Sequence, residues 1–229
     1  MPTRKSKFLF VAFLTFVRVP LVFVFFVFAL VHSWQPALWL FWVAFLSLLL
    51  SALTDLLDGY FARKFDVSTP VGAYADPLSD KVVYLVSLPL LIFLTARNGD
   101  VQHALVLLVF TVLFLLRDQW VSFLRSIGSL YGVSGKANWS GKLRTVINFP
   151  LICIIYFNQD YGWLPMSVMY VLEGSGLLIN LISMYVYGRN YWPSLVKAAD
   201  ISRKQETPPM ENPDREGIGV GSKLGQQED

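Results

Sequence analysis

Four aspartates carry the chemistry that this sequence offers most openly. Asp55 and Asp58 stand three residues apart, and Asp76 and Asp80 four apart, inside or beside long apolar runs. On helices each pair shares one face. Two such faces brought together would gather four acidic oxygen donors. Carboxylates at membrane depth are costly and are functional candidates by default. An oxygen-only donor set suits Mg²⁺, Mn²⁺ or Ca²⁺ and does not suit soft metals.

The elements that must position these residues are apolar helices. The 229-residue chain is 55% hydrophobic and 15% charged, which places it in the class of polytopic helical membrane proteins. Spans are expected at about 8–32, 37–61, 72–96, 101–124, 144–158 and 163–187, each close to the ~20 residues that cross a bilayer. The fifth is short unless its helix begins nearer Ser140. The fold expected is all-α: a six-helix membrane domain over residues 1–189, with a polar cavity facing the cytoplasm. A polar, disordered cytoplasmic tail is expected over 190–229, where Pro, Gly, Gln and charges replace the apolar period.

Basic residues set the orientation. Arg4, Lys5 and Lys7 precede the first span, Arg63 and Lys64 follow the second, and Arg117, Arg125, Lys136, Lys142 and Arg144 surround the fourth connection. Arg189, Lys197, Arg203 and Lys204 follow the sixth. This pattern puts both termini and the aspartates on the cytoplasmic side of a cell (inner) membrane. Trp34, Trp39, Trp42, Trp163 and Trp192 lie near span ends, as interfacial aromatics do. The net charge of +3 is distributed over helix ends and forms no soluble basic face, so nucleic acid is not an expected partner. A single cysteine, Cys153, excludes a disulfide within the chain, and two histidines far apart, His32 and His103, do not make a zinc site. The sequon Asn138-Trp139-Ser140 falls on the cytoplasmic side and is read as chance.

The stretch from Asp55 to Asp80 reads D-x2-D-G-x2-A-R-x8-G-x3-D-x3-D, with Asp55, Asp58, Gly59, Ala62, Arg63, Gly72, Asp76 and Asp80 at its fixed positions. It resembles the signature of the CDP-alcohol phosphotransferases, integral-membrane enzymes of phospholipid synthesis. The resemblance implies that Asp55, Asp58 and Asp76 bind metal, and that Asp80 is the general base on the acceptor hydroxyl and also touches a metal. It implies a homodimer and two ions, Mg²⁺ or Mn²⁺, that would neutralise phosphoryl oxygens and hold reacting groups in line; one carboxylate must then stay free enough of metal to accept a proton, and the sequence alone does not assign that role among the four. Gly59, Ala62 and Gly72 would leave room for the cytidine and diphosphate, or serve close helix packing. Arg63 would pair with the diphosphate. Thr15 and Arg18 resemble the L-T-x-x-R element near the start of many family members, without the Pro-Asn pair that often precedes it. A buried Arg18 needs a polar partner, either a nucleotide-side or carboxylate contact or an interhelical salt bridge.

The second half bears on the acceptor. Arg117-Asp118 through Leu124-Arg125, and Gly141-Lys142-Leu-Arg144-Thr145, resemble elements of bacterial phosphatidylglycerophosphate synthases, with Asp118, Arg144 and Asn148 standing where Glu, Lys and Gln are commoner. The resemblance covers roughly residues 8–188. The implied donor is CDP-diacylglycerol, the acceptor sn-glycerol 3-phosphate, and the products phosphatidylglycerophosphate and CMP. A phosphate dianion wants clustered donors, and Arg117, Arg125, Lys142 and Arg144 would supply them. Inositol phosphate, phosphatidylglycerol (as in cardiolipin synthesis) and serine are the alternative acceptors. An ion-coupled transporter is the competing class, but no inverted repeat is visible. Glu173, flanked by Gly174 and Gly176 in the sixth span, has no functional reading beyond a polar partner in the bundle or a place near the outer interface.

Overall fold

A computed structural model describes residues 4–65, 70–131 and 139–199; within these helices the side chains at 4–8, 56, 58–59, 62–63, 70–77, 80, 139–142 and 144–145 lie outside the described residues. The described residues form six helices and no strand: α1 (Arg4–Trp34), α2 (Leu38–Phe65), α3 (Pro70–Arg97), α4 (Val101–Leu130), α5 (Trp139–Tyr161) and α6 (Met166–Ala199). Each expected span overlaps one helix. The fifth starts at Trp139, which gives it 23 residues, or ~35 Å at 1.5 Å per residue. The sixth continues through Pro193 to Ala199, past the boundary read at 189; the rest of the expected tail, 200–229, lies outside the described residues.

Among the described residues, four helices are long and apolar enough to cross a membrane: Leu9–Trp34, Leu38–Asp55, Val101–Leu130 and Met166–Ala199. The other two are the central ones. α3 lies against α1, α4 and α5, and α5 lies against α2, α3 and α6.

The distribution of polarity is inverted relative to a soluble bundle. Leu9, Phe13, Leu50, Leu105, Val109 and Val171 are exposed, whereas Thr15, Arg18, Ser51, Ser87, Thr111, Arg117, Asn148, Glu173 and Ser183 are buried. Apolar exteriors and polar residues between helices are what a bilayer solvent selects. The protein is therefore an all-helical, multi-pass membrane protein. Its core runs through all six helices on the spacing of one helix face, as in Val22, Phe25 and Ala29 on α1, Phe41, Ala44 and Leu48 on α2, and Leu88 and Leu91 on α3. Phe41 stacks on Tyr156 with ring centroids 5.3 Å apart, joining α2 to α5.

The connections 35–37, 98–100 and 162–165 gather at one end of the bundle. Gly99, with φ +88°, supplies the left-handed residue that closes α3, and Asp100 then caps α4 by accepting from the His103 backbone N–H at 3.0 Å. His32 Nε2 meets Asp160 Oδ2 at 2.7 Å, and Arg97 Nε donates to the Ser33 carbonyl at 2.9 Å. Glu173 finds the polar partner foreseen for it: His103 Nε2 lies 2.6 Å from its Oε1, with both residues buried. The pair joins α4 to α6 in the half of the bundle remote from the aspartates.

Candidate active site

The opposite end is assembled from the last turns of α2, the first turns of α3, and the facing ends of α4 and α5. Asp55 and Asp58 lie in α2, Asp76 and Asp80 in α3, and both stretches are helical throughout, α3 continuing across Pro77. The register thus puts each pair on one helical face. The side chains of Asp58, Gly59, Ala62, Arg63, Gly72, Asp76 and Asp80 lie outside the described residues.

Asp55 is described, and it explains Arg18. The guanidinium Nη2 of Arg18 donates to Asp55 Oδ1 at 2.7 Å, with Arg18 fully buried and Asp55 18% exposed. An arginine buried on an apolar helix requires such a partner, because an unpaired charge there would be strongly destabilising. The pair ties α1 to α2, the most extensively packed pair of helices. A carboxylate offers about four lone-pair sites, so one charged hydrogen bond leaves Asp55 with acceptor capacity for a cation. Hard-cation ligation therefore fits what is described of the donor set. Thr15, one turn earlier on α1, is buried, and its hydroxyl donates to the Val11 carbonyl at 3.3 Å. Phe10 packs edge-on against Phe61 at 5.3 Å and holds the same two helices together beyond the ion pair.

Lys81 joins the two halves of the site. Its Nζ donates to Ser122 Oγ at 2.8 Å, and Ser122 donates onward to the Asp118 carbonyl at 2.8 Å. Through this bridge the aspartate end of α3 sits beside the basic end of α4.

Arg117 and Arg125 are brought together by a residue from another helix. Eight residues separate them on α4, ~12 Å along the axis, and both guanidiniums lie over the ring of Tyr187 on α6, at 5.3 and 5.2 Å from its centroid. Arg125 Nη2 donates to the Tyr187 hydroxyl at 2.7 Å. Arg117 is buried, with Nη1 donating to Asp118 Oδ1 at 3.1 Å and Nη2 to Ser183 Oγ. Arg125 is half-buried. The side chains of Lys142 and Arg144, on the first turns of α5, lie outside the described residues. One turn further, Asn148 is buried and its Oδ1 lies 3.4 Å from Asn180 Nδ2, which also donates to the Gly176 carbonyl at 2.7 Å.

Ser183 and Tyr187 escaped the sequence reading because they sit inside an apolar span with no charge to mark them. The available signal was their spacing: a hydroxyl four residues from a tyrosine shares one face of a helix.

Comparison with known proteins gives the family. The family model described as CDP-alcohol phosphatidyltransferase matches residues 9–184, from α1 through most of α6. The CDP-diacylglycerol--glycerol-3-phosphate 3-phosphatidyltransferase of Pseudomonas fluorescens is 27% identical over 161 residues, covering 70% of this chain and 80% of the relative. The enzyme of the same name from Yersinia pestis (strain Pestoides F) is 27% identical over 188 residues, 80% of this chain and 95% of the relative. A cardiolipin synthase (CMP-forming) from Oryza sativa subsp. japonica is 29% identical over 159 residues, 65% of this chain and 48% of the relative. Enzymes of this family generally use divalent metals. With its aspartate helices, basic α4 and most of the membrane bundle inside the matched region, this chain belongs to the CDP-alcohol phosphatidyltransferase family and is a transferase.

Proposed function

We propose that this protein transfers the phosphatidyl group of CDP-diacylglycerol to sn-glycerol 3-phosphate, giving phosphatidylglycerophosphate and CMP. The observation that carries the acceptor reading is the placing of Arg117 and Arg125 beside the aspartate end of α3, through Lys81 and Ser122. A phosphomonoester dianion is the acceptor with most use for such a cluster, and the names of the bacterial relatives support the same substrates.

Asp55, Asp58 and Asp76 hold divalent metal, Mg²⁺ or Mn²⁺ in two sites, and Arg18 keeps Asp55 in place. Bound metal supplies charge neutralisation on the diphosphate oxygens. Asp80, one turn beyond Asp76, accepts the proton of the acceptor hydroxyl. That oxygen bonds to the lipid-side phosphorus while the bond from this phosphorus to the CMP oxygen breaks, and CMP departs with the electron pair. Gly59, Ala62 and Gly72 leave space for the nucleotide, and Arg63 pairs with its diphosphate. Thr15 belongs to the same nucleotide side. Arg125, Lys142 and Arg144 receive the acceptor phosphate, with Arg117 in the same group. The six helices all span a cell (inner) membrane with both termini cytoplasmic, as the basic flanks support. The lipid reaches the site laterally and the soluble acceptor enters from the cytoplasm. The working unit is a homodimer.

The test is CMP release from CDP-diacylglycerol by purified protein with Mg²⁺, with glycerol 3-phosphate, inositol phosphate, serine or phosphatidylglycerol as acceptor. Release with glycerol 3-phosphate alone is expected. Release with phosphatidylglycerol instead would favour the second reading, which the rice relative's name supports. No release with any acceptor would discard the transferase mechanism.

A further inference from the structure

Arg117 and Arg125 differ in how much of each guanidinium remains for a ligand. Arg117 is buried, and its two Nη atoms donate to Asp118 and Ser183. Arg125 is half-buried, and among the described residues its guanidinium donates once, from Nη2 to the Tyr187 hydroxyl. A guanidinium that is half-exposed and only partly engaged keeps N–H donors for a ligand. Tyr187 itself is fully buried and stacks on Tyr191 at 6.2 Å. Tyr191 in turn packs so closely on Gly128 that a Cβ there would run into its ring. The tyrosine pair is therefore wedged between α4 and α6 with little freedom to move.

We infer that Tyr187, backed by Ser183, is the positioning element for acceptor recognition. Ser183 and Asp118 anchor Arg117 as scaffold, and the Tyr187 ring and hydroxyl fix Arg125 so that its remaining N–H groups meet the acceptor's phosphate. An unrestrained arginine loses much rotamer freedom on binding, and a guanidinium held in advance loses less. Tyr187 thus acts through Arg125 and touches neither the lipid nor the metal. The ligand class is a small soluble phosphomonoester. This inference rests on the proposed glycerol 3-phosphate reading and narrows it to one contact.

The experiment is steady-state kinetics on the full-length purified protein, varying glycerol 3-phosphate and CDP-diacylglycerol separately. Tyr187→Phe keeps the ring and removes the hydroxyl. It should raise the glycerol 3-phosphate KM about tenfold, the size of one lost hydrogen bond to a charged group. Its kcat and CDP-diacylglycerol KM should stay within about twofold on the same reasoning. Ser183→Ala should produce a smaller rise in the same KM. Arg125→Lys, which keeps the charge and loses the fork, should match or exceed Tyr187→Phe. Adding Tyr187→Phe to Arg125→Lys should then change the KM little further, since the two act through one contact. Inorganic phosphate, as a competitor of glycerol 3-phosphate, should lose potency in parallel. Equal effects on both KM values, a fall in kcat alone, or full additivity with Arg125→Lys would overturn the inference. Wild-type protein that fails to use glycerol 3-phosphate would instead overturn the proposed function, before any variant is compared.

Discussion

The two ends of the bundle treat their polar side chains differently. At the end holding the connections 35–37, 98–100 and 162–165, polar groups pair one to one across helices: His32 with Asp160, His103 with Glu173, and Arg97 with the Ser33 carbonyl. Each contact joins two helices. At the other end, charged and polar groups run in chains: Arg18 to Asp55 on one side, Lys81 to Ser122 to Asp118 to Arg117 to Ser183 on the other, and Arg125 on Tyr187 beside it. Isolated pairs need only balance their own desolvation. Chains that converge on one region hold several like charges ready for a ligand of opposite sign. The first end holds helices together, and the second is the one to which the proposed function assigns the diphosphate and the acceptor phosphate.

That contrast is sharpest at the aspartates. Replacing Asp58 or Asp76 with Asn should reduce CMP release to background through lost metal affinity, while the fold survives. Asp80→Asn should cut turnover with less effect on nucleotide binding, since its role is to accept a proton. Assaying CMP release alongside nucleotide binding separates these outcomes, and normal turnover in any of the three would remove the assigned role.

Arg18 tests whether an ion pair at the reactive end also serves stability. Arg18→Met should leave Asp55 without its cation and cost about 3 kcal/mol, as breaking a buried pair does, together with most of the activity. Arg18→Lys should recover much of the stability and less of the activity, because an ammonium lacks the fixed geometry of the guanidinium. Unfolding in detergent and the CMP assay read the two effects. A variant that kept full activity with lowered stability would make Arg18 structural only.

The smallest effects belong to the far end. His103→Ala should cost about 1–3 kcal/mol by leaving the Glu173 carboxylate unsatisfied, and Asp160→Asn, at a more exposed pair, about 1 kcal/mol or less. Neither should alter kcat or either KM at temperatures where the protein stays folded. A large change in kcat from either variant would break the division between the two ends.

Parts of this were legible residue by residue. The helical pairing of Asp55 with Asp58 and of Asp76 with Asp80 followed from spacing alone, and both stretches are helical. Arg18 was read as needing a polar partner, with a carboxylate contact and an interhelical salt bridge as the alternatives; Asp55 on α2 is a carboxylate and makes such a bridge. Glu173 was legible only as a charge in want of company. His103, its partner, lies 70 residues away, and nothing local joins the two. The extension of α6 to Ala199 escaped hydropathy because those turns carry polar residues and Pro193, which hydropathy reads as an end and the helix tolerates.

The sequence by itself determined the solvent, the class and the chemistry. Apolar runs of bilayer length require helices, and carboxylates at fixed helical spacing share one face. Both are local properties of composition and period. Tertiary structure alone decided which side chain each charge meets. Lys81 finds Ser122 41 residues on, and Arg117 and Arg125 share a tyrosine 62 residues beyond the second of them. Such partnerships depend on which helices pack together and in what register. No window of sequence contains that information, because the contacts arise only once the helices are assembled.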